Sequence, residues 1–188
     1  MSKKALVIVD LQNDYFPGGK FTLVGIEAAA ANAARVLAAA RAKGETVIHV
    51  RHESLSPDAP LFAPGTEGAA INPVVLNSGD EPVVLKNYPN SFRDTNLKDL
   101  LDRGGITDVT IVGAMSHMCI DATTRAAADL GYKVTVIQDA VATRDLEFGG
   151  VVIPAAKVHA AFMAALGWAY AAIVSTDDYL AASLQSAA

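Results

Sequence analysis

Residues 109–137 read VTIVGAMSHMCIDATTRAAADLGYKVTVI, and the order of residue types in that passage decides the fold. An apolar, β-branched run at 109–113 leads through a short turn into a helical stretch at 118–130. Gly131 then stops the helix, as a C-terminal cap should, and a second apolar run follows at 133–137. The same alternation extends outward in both directions. Candidate strands lie at 5–10, 46–50, 83–86 and 171–175, and further helices at 25–43, 97–103 and 154–166, the first and last of them Ala-rich. Gly44 and Gly104 stand just past two of these helices. Short apolar strands alternating with helices specify a parallel sheet covered on both faces. The expectation is therefore one α/β domain over residues 1–188, long enough to bury a real core.

Composition limits what such a domain does. The chain is 52% hydrophobic and 19% charged, with a formal net charge of −5. It offers no general attraction to nucleic acid or to an anionic membrane, and contains no block of basic residues. The N-terminal MSKKALVIVDLQ has too short an apolar core for a signal peptide, and the apolar stretch at 160–174 is broken by Gly167. A soluble cytoplasmic protein with a small-molecule substrate is expected, with neither nucleic acid nor membrane as partner. The single cysteine, Cys119, excludes an internal disulfide. By composition alone a lone cysteine reads as a small buried hydrophobe.

Position changes that reading. Asp10 ends the first strand, Lys86 the third, and Cys119 follows the fourth at the start of a helix. Ligands of open parallel sheets bind beyond the carboxyl ends of the strands. A thiol at a helix N-terminus is expected to have a lowered pKa, which makes Cys119 a candidate nucleophile. Asp10 is placed to take the thiol proton and return it to a leaving nitrogen, and Lys86 to favour the thiolate. The plainer alternatives are an Asp10 that caps the next turn and a Lys86 that points into solvent. His117 is a competing base, but two residues apart in a helix it faces away from Cys119. His49 and His159 stand in no recognised metal spacing. Residues 53–80, rich in proline and glycine and without a period, read either as a functional lid or as a plain surface excursion.

Three ordered motifs carry a resemblance. VDLQNDYF around Asp10, VVLKNYPNSF around Lys86, and VGAMSHMCIDATTRAAADLGYKVTVIQDA around Cys119 are together similar to the isochorismatase-like cysteine hydrolases, as are the segments 62–73 and 157–179. The resemblance implies a Rossmann-like six-stranded parallel sheet with helices on both faces. It implies an Asp10–Lys86–Cys119 triad, a thioester acyl-enzyme, a cis peptide between Ala114 and Met115, and an oxyanion hole from the N–H groups of Met115 and Cys119. Nicotinamidases of that superfamily hold a metal through a D-x-H motif after the second strand. Here RHES puts His52 and Ser54 at that place, so no metal and no cofactor are expected.

Phe16, Phe62, Tyr88 and Phe92, in loops after strands, either wall a substrate pocket or pack the core beneath the long loop. Met115 and His117, around the nucleophile, are expected to face the substrate. The leading activity is hydrolysis of a small amide-type C–N bond. The alternatives are vinyl-ether hydrolysis of the isochorismatase type, and a non-catalytic ligand-binding or thiol-sensing protein on the same scaffold. The resemblance and the Ala-rich helices point to a homodimer or homotetramer.

Overall fold

The first strand, β1 (Lys4–Val9), is apolar from Ala5 onward and buried along that whole run. Its side chains alternate, as strand geometry requires, and so feed two separate cores. Leu6 and Ile8 pack with Ala29, Ala33, Val36 and Leu37 of α1 (Ile26–Ala42) on one face. Ala5, Val7 and Val9 pack on the other face with residues of three helices. Those helices are α2 (Leu97–Gly104), α3 (Asp121–Asp129) and α4 (Ala155–Ala169). Each fully buried Leu, Ile or Val contributes roughly 1.5–3 kcal/mol. These facts come from a computed structural model that describes residues 3–185.

The remaining strands are β2 (Thr46–His52), β3 (Val83–Lys86), β4 (Asp108–Ala114), β5 (Lys133–Ala142), the pair β6 (Leu146–Phe148) and β7 (Val151–Ile153), and β8 (Ala171–Val174). Six of them form one sheet in the order β3-β2-β1-β4-β5-β8, and every pairing in it is parallel. The chain runs outward from β1 through β2 to β3, then returns to place β4 on the other side of β1. The switch in strand order thus falls between β1 and β4, where a doubly wound sheet opens a crevice. At that point Gly113 has φ 129°, and a Cβ on it would lie 1.9 Å from the Val9 carbonyl oxygen. Only glycine lets β4 run this close to β1 just before the two strands diverge.

Several expected boundaries move. β5 runs on to Ala142, because Val141 and Ala142 pair with Gly113 and Ala114 past a register shift in which β5 carries the extra residues. Gly104 lies inside α2, and Gly105, at φ 63°, is the residue that caps it. The helix expected at 118–130 begins as a π-helical turn, Ser116–Ile120, and becomes regular at Asp121. Elements not anticipated include the β6–β7 hairpin, a C-terminal helix, α5 (Thr176–Gln185), and short 3-10 turns at Asn13–Tyr15, Glu67–Ala69 and Pro73–Val75. Among the described residues, no helix is long and apolar enough to cross a membrane.

Candidate active site

Strand order brings the site together. Asp10 follows β1, His52 ends β2, Lys86 ends β3, and Cys119 follows β4. The order β3-β2-β1-β4 makes those four carboxyl ends neighbours. Asp10 keeps the sheet ladder through its N–H to the Val50 carbonyl, then turns into the left-handed region at φ 52°. A non-glycine residue in that region is uncommon, and such strain gathers at functional positions.

The Lys86 ammonium is the hub. Its Nζ lies 2.8 Å from Asp10 Oδ2, 2.9 Å from His52 Nδ1 and 3.2 Å from Cys119 Sγ. Lys86 and Asp10 are fully buried, and Cys119 is 4% exposed. Neither Asp10 oxygen has a hydrogen-bond partner among the described residues; Oδ2 is held by the Lys86 ion pair, and Oδ1 by nothing. Taking such a pair out of water costs several kcal/mol per ion, so a buried ion pair with an idle acceptor beside a thiol marks function better than stability. Burial works against the Lys86 charge, but Asp10 and Cys119 outweigh it and the pKa is raised.

The expectation of a thiolate preformed at a helix N-terminus is corrected. Cys119 sits in the π-helical turn ahead of α3, and burial, followed by the Asp10 carboxylate, pushes its thiol well above the ordinary value against the pull of Lys86. The proton therefore rests on sulfur, with a carboxylate and an ammonium beside it. The iodoacetamide alkylation rate of Cys119 is expected to keep climbing through the ordinary thiol range. A plateau below roughly pH 8.5, the usual cysteine value, contradicts this.

The turn around Cys119 is shaped by its backbone. The Ala114–Met115 peptide is cis. The Met115 carbonyl accepts from the N–H groups of Met118 and Ile120, on either side of Cys119. Single π-type turns of this kind recur at functional sites. Met115 itself is buried. His117 is not drawn into the Asp10–Lys86–Cys119 cluster. Its Nδ1 lies 2.7 Å from Thr143 Oγ1 and its ring meets Phe162 edge-on, while burial and then Arg144 lower its pKa.

The aromatic residues divide. Phe62 is buried, edge-on to Tyr15 at 4.7 Å and 5.8 Å from the His52 ring, so it stands beside the site. Tyr15 was not anticipated. Its phenol is fully buried and held well above the usual value by burial, then by Asp10 and Cys119, which places it in the field of the same groups. Phe92 stacks on Tyr132 in the α2–α4 core and is a packing residue. Tyr88 lies under the Arg93 guanidinium at 3.6 Å. Phe16 lines a cleft of about 550 Å³ whose walls include Asn13, Lys20 and Glu67 but not Asp10, Lys86 or Cys119.

Residues 53–80 are pinned over this end of the sheet. The Gln12 side chain donates to the His52 and Ala69 carbonyls and accepts from the His52 N–H, each at 2.8 Å. Asp14 accepts from the Phe62 N–H, and Gly68 lies so close that a Cβ would meet its carboxylate at 2.2 Å. The excursion is a roof fastened by the loop that carries Asp10.

Asp10, His52 and Cys119 offer donor atoms within 4.8 Å of one another, a spacing that a metal ion would fit. The Lys86 ammonium already contacts all three, so one cation fills that centre. Ser54, at the D-x-H position, donates to the Leu61 carbonyl at 2.6 Å. These residues do not fit a nicotinamidase-type metal.

Comparisons with known proteins agree with the geometry. The family model described as an isochorismatase domain matches residues 4–178. A crystal structure from Oleispira antarctica, assigned to the isochorismatase hydrolases, superposes with a TM-score of 0.93 at 55% identity, covering 96% of this chain and 97% of that one. The uncharacterized isochorismatase family protein YddQ of Bacillus subtilis (strain 168) is 44% identical over 176 residues, 94% of this chain and 98% of its own length. Maleamate amidohydrolase of Pseudomonas putida is 30% identical over 156 residues, 76% of this chain and 73% of its own. With the fold, the strand-end cluster and the match across nearly its whole length in agreement, the chain belongs to the isochorismatase family of hydrolases.

Proposed function

We propose that the protein hydrolyses an amide-type C–N bond of a small molecule through a thioester on Cys119. The observation that carries this reading is the buried contact of Asp10, Lys86 and Cys119, with one Asp10 oxygen left idle. Cys119 Sγ attacks the substrate carbonyl carbon while Asp10 takes the thiol proton, so a C–S bond forms as the S–H bond breaks. The negative charge that moves onto oxygen is received by the N–H groups of Met115 and Cys119. Collapse breaks the C–N bond, and Asp10 returns its proton to the leaving nitrogen. Water then attacks the thioester, giving its proton to Asp10, and the acid leaves as the thiol is restored. Lys86 stays charged throughout and keeps the carboxylate and the sulfur in register. Kinship with a relative named as an amidohydrolase supports amides over vinyl ethers.

The test is a panel of small carboxamides and ureido compounds read by ammonia release. Turnover of at least one by the wild-type protein, and none by Cys119→Ala, is expected. Cleavage of a vinyl ether with every amide left intact would set the reading aside. Because the ammonium occupies the only centre where Asp10, His52 and Cys119 converge, exhaustive chelation is expected to leave activity intact. Loss with EDTA and recovery with zinc would show the opposite.

A further inference from the structure

His52 takes no part in the proton and acyl transfers above, yet it is the most deliberately placed residue at the site. Its backbone is gripped on both sides by one amide, Gln12, which accepts from the His52 N–H and donates to its carbonyl. Its ring leans on Phe62 and reaches Lys86 with Nδ1. An ammonium has three N–H bonds and no acceptor capacity. Around Lys86 Nζ stand three acceptors, Asp10 Oδ2 at 2.8 Å, His52 Nδ1 at 2.9 Å and Cys119 Sγ at 3.2 Å.

We propose that His52 is a positioning residue for the lysine of the triad, its bare Nδ1 taking the third ammonium proton so that the other two are aimed at Asp10 and Cys119. The inference rests on the reading of those three residues as the hydrolytic unit. Without the third acceptor, a buried ammonium has one unsatisfied donor and rotates or shifts to find a partner, which loosens its hold on the sulfur.

The choice of an imidazole has a physical reason. Asp10 and Lys86 cancel one another and the thiol is neutral. A second carboxylate at position 52 would leave the site with net negative charge and drive the thiol pKa higher still. A neutral ring nitrogen orients the ammonium without changing that balance. The groups facing the ring are Asp10 from the β1 end at 4.0 Å, Lys86 from β3, Cys119 from the turn after β4, and Phe62 from the roof. Burial, then the Lys86 charge, hold the imidazole pKa down despite Asp10, which keeps Nδ1 an acceptor.

Three variants test the role. His52→Leu fills similar space without an acceptor. His52→Asn puts an oxygen where Nδ1 stands, and His52→Gln puts one nearer Nε2. In His52→Leu the alkylation rate of Cys119 by iodoacetamide at fixed neutral pH is expected to fall at least about tenfold. The kcat is expected to fall about tenfold to a hundredfold, with KM changed less than about threefold. His52→Asn should recover most of both losses and His52→Gln should not. Should His52→Leu fail to fold, the ranking of Asn above Gln by about tenfold decides the matter alone. Wild-type alkylation and kcat in folded His52→Leu, or Asn and Gln equal to each other, would overturn the proposal. Alkylation needs no substrate. A protein that turns over no amide but keeps this alkylation ranking would refute the amide reading and leave the role of His52 standing.

Discussion

Cys119→Ala is expected to lose amide hydrolysis by roughly 10⁴-fold or more while keeping the circular dichroism and melting transition of a folded protein. The sulfur lies 3.2 Å from the Lys86 ammonium and within 4.8 Å of an Asp10 carboxylate oxygen. Of the other groups in the cluster, Lys86 would hold an acyl group as a stable amide, and His52 Nδ1 is engaged by the Lys86 ammonium. The stability cost is small, because alanine removes a single heavy atom from a position that is 4% exposed. A small-to-moderate loss of about 1–2 kcal/mol is expected from the void. Cys119→Ser tests a different point. Serine keeps a hydrogen bond to Lys86 but needs a stronger base than a carboxylate to become a nucleophile, so it should be nearly as inactive as alanine. Turnover within tenfold of wild type in either folded variant rules out the covalent route.

Asp10→Asn is expected to lower kcat/KM by roughly 10²–10⁴, the usual loss when a general base is removed. The asparagine keeps the shape at φ 52° but cannot hold the proton between sulfur and leaving nitrogen. It also leaves Lys86 buried without its counter-ion, a condition that costs about 3–5 kcal/mol elsewhere. The kinetics therefore need a melting curve beside them. Lys86→Met keeps the aliphatic stem and removes the charge. With the cation gone, nothing opposes the effect of burial and Asp10 on the thiol, so the alkylation profile should move to higher pH. The two residues act on one proton, so the double variant should lose far less than the product of the two single losses. Near-normal kinetics and an unshifted alkylation profile in both single variants would dissolve the triad.

Much of this was legible in the sequence, and the limits have physical causes. Asp10, Lys86 and Cys119 could be found because two stand at the carboxyl ends of apolar strands and the third at the strand-to-helix turn after another, where ligands of a parallel sheet bind. His52 occupies the same kind of position at the end of β2, yet the sequence showed it only as a departure from a metal motif. Its contact with Lys86 depends on β2 lying between β1 and β3, which no local pattern states. The thiol pKa was read from a helix terminus, whereas burial and then the Asp10 carboxylate reverse the direction. The π-helical turn at Ser116–Ile120 is also set by tertiary contacts, since its residues look like an ordinary helix start.

Other omissions had a signal. Gly149 and Gly150, both at positive φ, form the two-residue turn of the β6–β7 hairpin between Phe148 and Val151, and a Gly-Gly pair between apolar runs is a hairpin signature. Thr176 followed by Asp177 and Asp178 is an acidic first helical turn, which announces α5. The extension of β5 through Gln138 and Asp139 had none, because two polar residues end an apolar run unless the neighbouring strand continues to pair.

Partitioning of the acyl-enzyme tests the central claim most directly. Two amides with the same acyl group and different leaving amines are turned over in the presence of hydroxylamine, and hydroxamate and free acid are measured. A common thioester on Cys119 has lost the amine before the second nucleophile arrives, so the ratio of hydroxamate to acid must be the same for both substrates. A ratio that changes with the leaving amine, or acid formed with no hydroxamate at any hydroxylamine concentration, would mean that water attacks the amide directly and that Cys119 is not the nucleophile.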